Sequence, residues 1–154
     1  MKNETPTGGP RRDDLKLSAQ LCFALYSTLL GVNKVYRKAL KPLDLTYPQY
    51  LVMLVLWERD DVNVSDICAQ LYLETTTLTP LLKRLEARGL LQRQRYAGDE
   101  RQVRVTLTEA GKALRAQAEP IPMCVAQALG CSLDEIVTLR DQLKGLRANL
   151  FNAD

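Results

Sequence analysis

The sequence predicts a mainly α-helical fold with one small β-hairpin, and three patterns carry that reading. Apolar residues recur at helical spacing along most of the chain, and two capping boxes and a glycine stop mark helix ends. The period changes from helical to alternating only between Leu90 and Leu107. That change falls inside the one stretch with a charge imbalance. Residues 75–107 hold seven basic side chains (Lys83, Arg84, Arg88, Arg93, Arg95, Arg101, Arg104) against three acids (Glu86, Asp99, Glu100), a net of +4. The whole 154-residue chain is only +3, so the remainder is −1. A local basic excess on an otherwise neutral protein points to a polyanion partner, because Lys and Arg displace counterions condensed on phosphates.

Each element follows in order. Residues 1–14 are rich in Pro, Gly and charge and have no apolar core of a signal peptide, so a flexible tail is expected there. A single domain is expected over 15–154. Its first helix is predicted from Leu15 to Lys41, with Leu21, Leu25, Leu29, Val32, Tyr36 and Leu40 on one face and Pro42 as its stop. Thr46-Tyr47-Pro48-Gln49 is a capping box with proline in the first turn, opening a second helix through Trp57. Asn63 is expected to cap a short third helix in which Val64, Ile67, Cys68 and Leu71 are apolar. In the fourth helix Leu78, Leu81, Leu82 and Leu85 form a core-facing stripe, and Thr76, Thr79 and Lys83 lie opposite, pointing outward. Pro80 is tolerated best in a first turn, which sets the start at Glu74 to Thr77, and Gly89 reads as the residue that ends the helix. Two strands then flank a turn over Ala97-Gly98-Asp99-Glu100-Arg101, a hairpin with a basic tip.

Helix, turn, helix and basic hairpin in that order predict a winged helix-turn-helix over residues 46–107. Short hydroxyls near the start of the second helix of the motif can bond base edges or phosphates in a major groove, so the expected polyanion is double-stranded DNA. A further helix is predicted from Thr108, bending at Pro120 and Pro122 without ending. Ser132-Leu133-Asp134-Glu135 opens the last helix, whose Ile136, Leu139, Leu143, Leu146 and Leu150 alternate at spacings of three and four. Such a seam wants a partner helix. The flanking helices, about 15–41 and 108–150, are therefore expected to build a homodimer, with an intramolecular bundle as the alternative. A dimer suits a palindromic operator whose half-sites lie one turn apart, about 34 Å.

Composition narrows the function. No run of eighteen apolar residues occurs, so no membrane span is expected. Four irregularly spaced cysteines without a secretory signal suggest a reducing, cytoplasmic setting. Histidine is absent, which removes Ser-His-Asp and Cys-His catalysis, and no C-x-x-C pair favours zinc. No metal or cofactor is expected, and an enzyme is not the first reading. Two Phe and one Trp are too few for a nucleobase-stacking sheet.

Three segments, Leu21-Cys22-Phe23-Ala24-Leu25-Tyr26, Leu45-Thr46-Tyr47-Pro48-Gln49-Tyr50-Leu51 and Leu78-Thr79-Pro80-Leu81-Leu82-Lys83-Arg84-Leu85, resemble the MarR (multiple antibiotic resistance regulator) family. Within it they are similar to the two-cysteine type of organic hydroperoxide resistance regulators (OhrR), as are Asp99-Glu100-Arg101 and Leu107-Thr108-Glu109. The resemblance runs from Leu17 to about Leu150. It implies a cytoplasmic repressor that releases its operator when a cysteine near the start of the first helix is oxidised by an organic hydroperoxide. By the same resemblance Cys22 is the sensing thiol. Tyr36 and Tyr47 reach it from the other subunit, and Tyr26 is a further aromatic neighbour. Thr75, Thr76, Thr77, Thr79 and Lys83 fall on the recognition helix, with Arg84 beside them and Arg95 on the hairpin. Asp99 orients Arg101, which enters the minor groove. The resolving thiol of two-cysteine members comes from the partner; Gln127 aligns with the best-known position, leaving Cys131, slightly favoured, or Cys124 on one helical face with it, or a small thiol instead.

The residues alone leave Cys22 open, since a free thiol beside Phe23 and Leu25 is more often a packing residue, and burial raises its pKa. Sensing needs thiolate, and phenol donors from Tyr36 and Tyr47 can stabilise that anion. Cys68 reads as packing only. Two other functions stay in view: a repressor that responds to a small anionic or phenolic ligand, and a thiol peroxidase.

Overall fold

The computed structural model describes residues 15–153, apart from the side chains of Glu100 and Arg101. The expected tail over 1–14 lies outside the described residues, as does the Arg101 side chain expected in the minor groove. Two compact units, Met1–Lys34 and Val35–Asp154, make up the chain.

In the first unit a 3-10 turn (Leu17–Ala19) precedes α1 (Leu21–Ala39), which continues into the second unit. The first helix thus starts six residues later than expected. Gln20 is extended, with its side-chain amide folded back on the Lys16 carbonyl at 3.2 Å, so the preceding turn cannot propagate. Leu21, Phe23, Tyr26, Leu29 and Leu30 are exposed.

The second unit holds a continuous apolar core. After α1, Pro42 sits in a 3-10 turn (Lys41–Leu43) closed by Asp44 in the left-handed region, and α2 (Tyr47–Glu58) begins with the expected reciprocal capping box of Thr46 and Gln49. A two-residue strand β1 (Val62–Asn63) leads into α3 (Val64–Leu71), then α4 (Thr75–Ala87), β2 (Leu91–Tyr96) and β3 (Asp99–Leu107). The antiparallel sheet has the order β1-β3-β2, with Val62 opposite Val105 and Leu91 opposite Leu107. The third strand was not expected: two residues carry no readable period. Asn63 occupies the cap position of α3, but its side chain makes no capping bond. Its Oδ1 is buried without a hydrogen-bond partner among the described residues, while its backbone pairs with Arg104 in the sheet. The hairpin turn is tighter than the expected five residues, with only Ala97 and Gly98 between strands and an irregularity at Arg95/Tyr96 absorbing the register.

The leucine stripe of α4 behaves as read: Leu78, Leu82 and Leu85 are almost fully buried beside Ile67, Met53, Leu56 and Val105. Gly89 has φ of +71°, the left-handed stop that lets the chain turn from α4 into β2. Gly111 is required for another reason. A Cβ there would stand 2.0 Å from the Leu90 carbonyl oxygen, where α5 (Glu109–Ala118) crosses the start of the hairpin. The helix after the hairpin ends where a bend was expected. α5 stops at Ala118 and α6 (Ile121–Leu129) starts anew after Pro120, because Pro120 and Pro122 each lack an N–H to continue the ladder. The last helix, α7 (Leu133–Phe151), starts at the second expected capping box. Only Ile136 and Leu146 of its seam are partly covered; Leu139, Leu143 and Leu150 are exposed. Among the described residues no helix is long and apolar enough to cross a membrane.

Candidate DNA-reading surface and sensor residues

α4 presents its N-terminal turn outward. Thr75, Thr76 and Thr77 are exposed there, and Lys83 and Arg84 are exposed one to two turns on. Thr79 is different from expectation. It is half-buried, and its hydroxyl donates to the Thr75 carbonyl at 2.8 Å, a back-bond within the helix that turns it away from solvent. The hydroxyl of Thr75 lies 3.8 Å from the sulfur of Cys68, which is half-buried against the core, as a packing residue would be.

Ion pairing divides the basic residues into two groups. Arg93 donates from its backbone N–H (2.9 Å), Nε (3.0 Å) and Nη2 (2.7 Å) to the two carboxylate oxygens of Glu86, fastening β2 to α4. The guanidinium and backbone bonds from Arg93 hold the Glu86 carboxyl below the usual range. Arg104 bonds Asp61 through Nε at 2.7 Å and the Asp61 carbonyl through Nη2 at 3.0 Å, while Asp60 accepts the Leu107 N–H at 2.8 Å. The hydrogen bond from Arg104 lowers the Asp61 pKa. Arg88 reaches the carbonyls of Leu43 (3.0 Å) and Asp44. These three arginines hold the hairpin and the turn before α2 in place. Lys83, Arg84 and Arg95 instead face solvent. Asp99, exposed, opens β3 at the hairpin tip. The anchoring carboxylates Asp60 and Asp61 escaped the sequence reading because their partners lie 47 and 43 residues away. Glu86 escaped it because its partner Arg93, seven residues on, belongs to a different element.

The expected sensor residues fall in different places. Cys22 is exposed in the first turn of α1, beside exposed Phe23, with Tyr26 exposed a turn later. Tyr36 and Tyr47, both half-buried, stack with ring centroids 4.2 Å apart. Tyr50 joins them at 5.8 and 6.5 Å, and Trp57 lies edge-on to Tyr50 at 6.4 Å. Tyr50 and Trp57 were absent from the expected site, although spacings of three from Tyr47 to Tyr50 and seven from Tyr50 to Trp57 place all three on one helical face. The indole N–H of Trp57 donates to the Gly111 carbonyl at 2.9 Å, pinning the ladder to α5. Burial, reinforced by Tyr47 and Tyr50, pushes the Tyr36 pKa up to about 12, so its phenol stays a proton donor at neutral pH. Cys124 and Cys131 are both exposed, but not on one face. Gly130, with φ of +67°, ends α6 before Cys131, which sits in the loop to α7 while Cys124 stays inside the helix. Among the described residues no cluster of three or more His, Cys, Asp or Glu is placed to hold a metal ion.

A recognition helix with an outward polar end, braced by a helix and a basic hairpin, defines a winged-helix DNA-binding regulator. Comparison with known proteins agrees. The family described as transcriptional regulator SarA/Rot matches residues 34–117. The HTH-type transcriptional regulator TtmR of Methylorubrum extorquens is 42% identical, over 97% of this chain and 82% of its own. The organic hydroperoxide resistance transcriptional regulator of Bacillus subtilis is also 42% identical, over 90% of each chain. Among solved structures, reduced AbfR bound to DNA superposes with a TM-score of 0.78 at 36% identity, covering 92% of this chain and 99% of the other. AbfR is a protein of Staphylococcus epidermidis, and it has also been solved in a disulfide form, with a TM-score of 0.63 at 33% identity over 92% and 97% of the two chains. The chain belongs to the MarR family of winged-helix transcriptional regulators, in its organic hydroperoxide regulator (OhrR) type.

Proposed function

We propose that this regulator is a homodimeric repressor whose grip on a palindromic operator is released when an organic hydroperoxide oxidises Cys22. The observation that carries the reading is the position of that thiol. It lies exposed at the start of α1, in a surface of Leu21, Phe23 and Tyr26 that a single chain leaves in solvent. A partner covering that surface supplies the apolar setting that favours lipophilic hydroperoxides, and the partner's Tyr36 and Tyr47 supply phenol donors to the thiolate. Relatives support the redox element: one is named for organic hydroperoxide resistance, and AbfR has been solved reduced on DNA and with a disulfide formed.

Thiolate attack on the peroxide transfers one oxygen, giving the Cys22 sulfenic acid and releasing the alcohol. A second thiol then displaces water to form a disulfide. Cys131 of the partner is the favoured resolving residue, because it sits in a loop with freer reach than Cys124 inside α6. Thr75, Thr76 and Thr77 read the groove, Lys83, Arg84 and Arg95 meet phosphates, and Asp99 and Arg101 form the hairpin tip. Disulfide formation needs to favour a non-binding spacing of the two reading heads by only about 1–3 kcal/mol to weaken operator binding 5–150-fold.

The test is operator binding before and after one equivalent of cumene hydroperoxide. The wild type is expected to dissociate, and Cys22→Ser to stay bound. Non-reducing mass spectrometry is expected to find Cys22 joined to Cys131. Dissociation of oxidised Cys22→Ser removes Cys22 from the mechanism, and release of wild type by a ligand without oxidation replaces redox control by ligand control.

A further inference from the structure

We propose that the cavity where the ends of α1 and α4 meet the start of α2 binds a phosphorylated small molecule that loosens the recognition helix. The cavity has a volume of about 760 Å³. That lies within the roughly 300–1,000 Å³ typical of small-molecule sites and leaves room for an organic body as well as its phosphates. Four cations line it, Arg37, Lys41, Arg84 and Arg88, against one acid, Asp44.

Helix dipoles explain part of this pattern. Arg37 lies in the last turn of α1 and Arg84 in the last turn of α4, where a cation offsets the negative helix end. That accounts for each helix separately, but not for the two ends sharing one cavity. Four like charges around a common space repel one another, and a bound polyanion converts that repulsion into attraction. Arginine forks match the oxygens of a phosphate in pairs, which favours phosphate over a single carboxylate. The capping box already satisfies the Thr46 and Gln49 N–H groups at 3.0 and 3.4 Å, so side-chain cations provide the recognition. Leu45 and Ala87 give the organic part an apolar wall.

The site reaches the reading head through Arg88. Arg88 is the C-cap residue of α4, and its side chain donates to the carbonyls of Leu43 and Asp44, with the Asp44 carboxylate at 3.9 Å. An anion in the cavity competes for the same guanidinium and frees the end of α4 from the turn before α2. It also draws Arg84 away from DNA. Ligand and operator then weaken each other by the same factor.

Pyrophosphate is the probe, titrated by calorimetry and phosphorus NMR into the reduced full-length protein. One saturable site per chain is expected, with affinity reduced at least tenfold in the Arg37→Gln/Lys41→Gln double variant. Without pyrophosphate that variant is expected to bind operator within twofold of wild type and to keep its circular dichroism. Pyrophosphate is expected to weaken operator binding by wild type, beyond the effect of sulfate at equal ionic strength, and to spare the variant. Absence of saturable binding, equal binding by the variant, or an equal effect of sulfate overturns the proposal. Loss of operator affinity by the variant without any ligand assigns the cavity to the DNA backbone and overturns it too. The thiol mechanism is tested separately, since Cys22→Ser is expected to bind pyrophosphate like wild type.

Discussion

The reading head and the two terminal helices carry similar leucine patterns and meet opposite fates. In α4, Leu78, Leu82 and Leu85 are sealed in the core at no more than 1% exposure. In α7, Leu139, Leu143 and Leu150 follow an equally regular spacing and remain 52%, 39% and 61% exposed, as do Leu21 and Leu29 of α1. Periodicity reports that a helix has an apolar face; it does not report which chain covers it. A contiguous exposed apolar surface is characteristic of an interaction site. The head buries its leucines within one chain, and the ends leave theirs exposed.

Paired substitutions break or sharpen that contrast. Leu82→Ala in the head is expected to lower unfolding free energy by about 2–5 kcal/mol, measured by chemical denaturation, since it leaves a cavity among buried residues. Leu143→Glu in α7 is expected to turn the dimer into monomers in sedimentation while the winged-helix core retains its circular dichroism. Operator affinity falls with it, because each monomer engages one half-site. A Leu143→Glu protein that stays dimeric places the interface elsewhere.

A smaller effect is expected at Gly111, where α5 packs on the head. Gly111→Ala drives a methyl into the Leu90 carbonyl, and about 1–3 kcal/mol of destabilisation is expected in the same denaturation assay. A neutral outcome means that α5 shifts off the hairpin without penalty.

The smallest effect belongs to the Glu86–Arg93 clasp, partly exposed at the edge of the head. The folded state lowers the Glu86 pKa, so its stabilisation is intact above the ordinary carboxylate range, near 4.3, and is lost as pH falls through the depressed value. Glu86→Gln is expected to cost about 1 kcal/mol or less at pH 7 and to flatten the acid limb of the stability curve. An unchanged acid limb shows that the clasp does not hold the hairpin.

Much of this arrangement was legible before the coordinates. Thr46 with Gln49 and Ser132 with Glu135 are local capping signals, and the structure contains both boxes. The leucine stripe of α4, the Gly89 stop and the alternating hairpin are likewise short-range patterns. The misreadings have a common source. β1 is two residues long and exists through its partner β3, while α5 and α6 separate because two prolines act together across one turn. The shared face expected for Cys124 and Cys131 vanished because Gly130 took a left-handed conformation.

The same limit held at the site. Counting charge located the basic segment, yet could not tell Lys83, Arg84 and Arg95, which face solvent, from Arg88, Arg93 and Arg104, which hold the head together. Local sequence determined the helices, their caps, the hairpin and the chemistry present, because those depend on neighbours within about one or two turns of chain. Tertiary structure alone decided which arginines are bound, which tyrosines stack, and that four cations meet around one cavity. Most of those outcomes require side chains on separate elements to converge, and no pattern within one element encodes their distance.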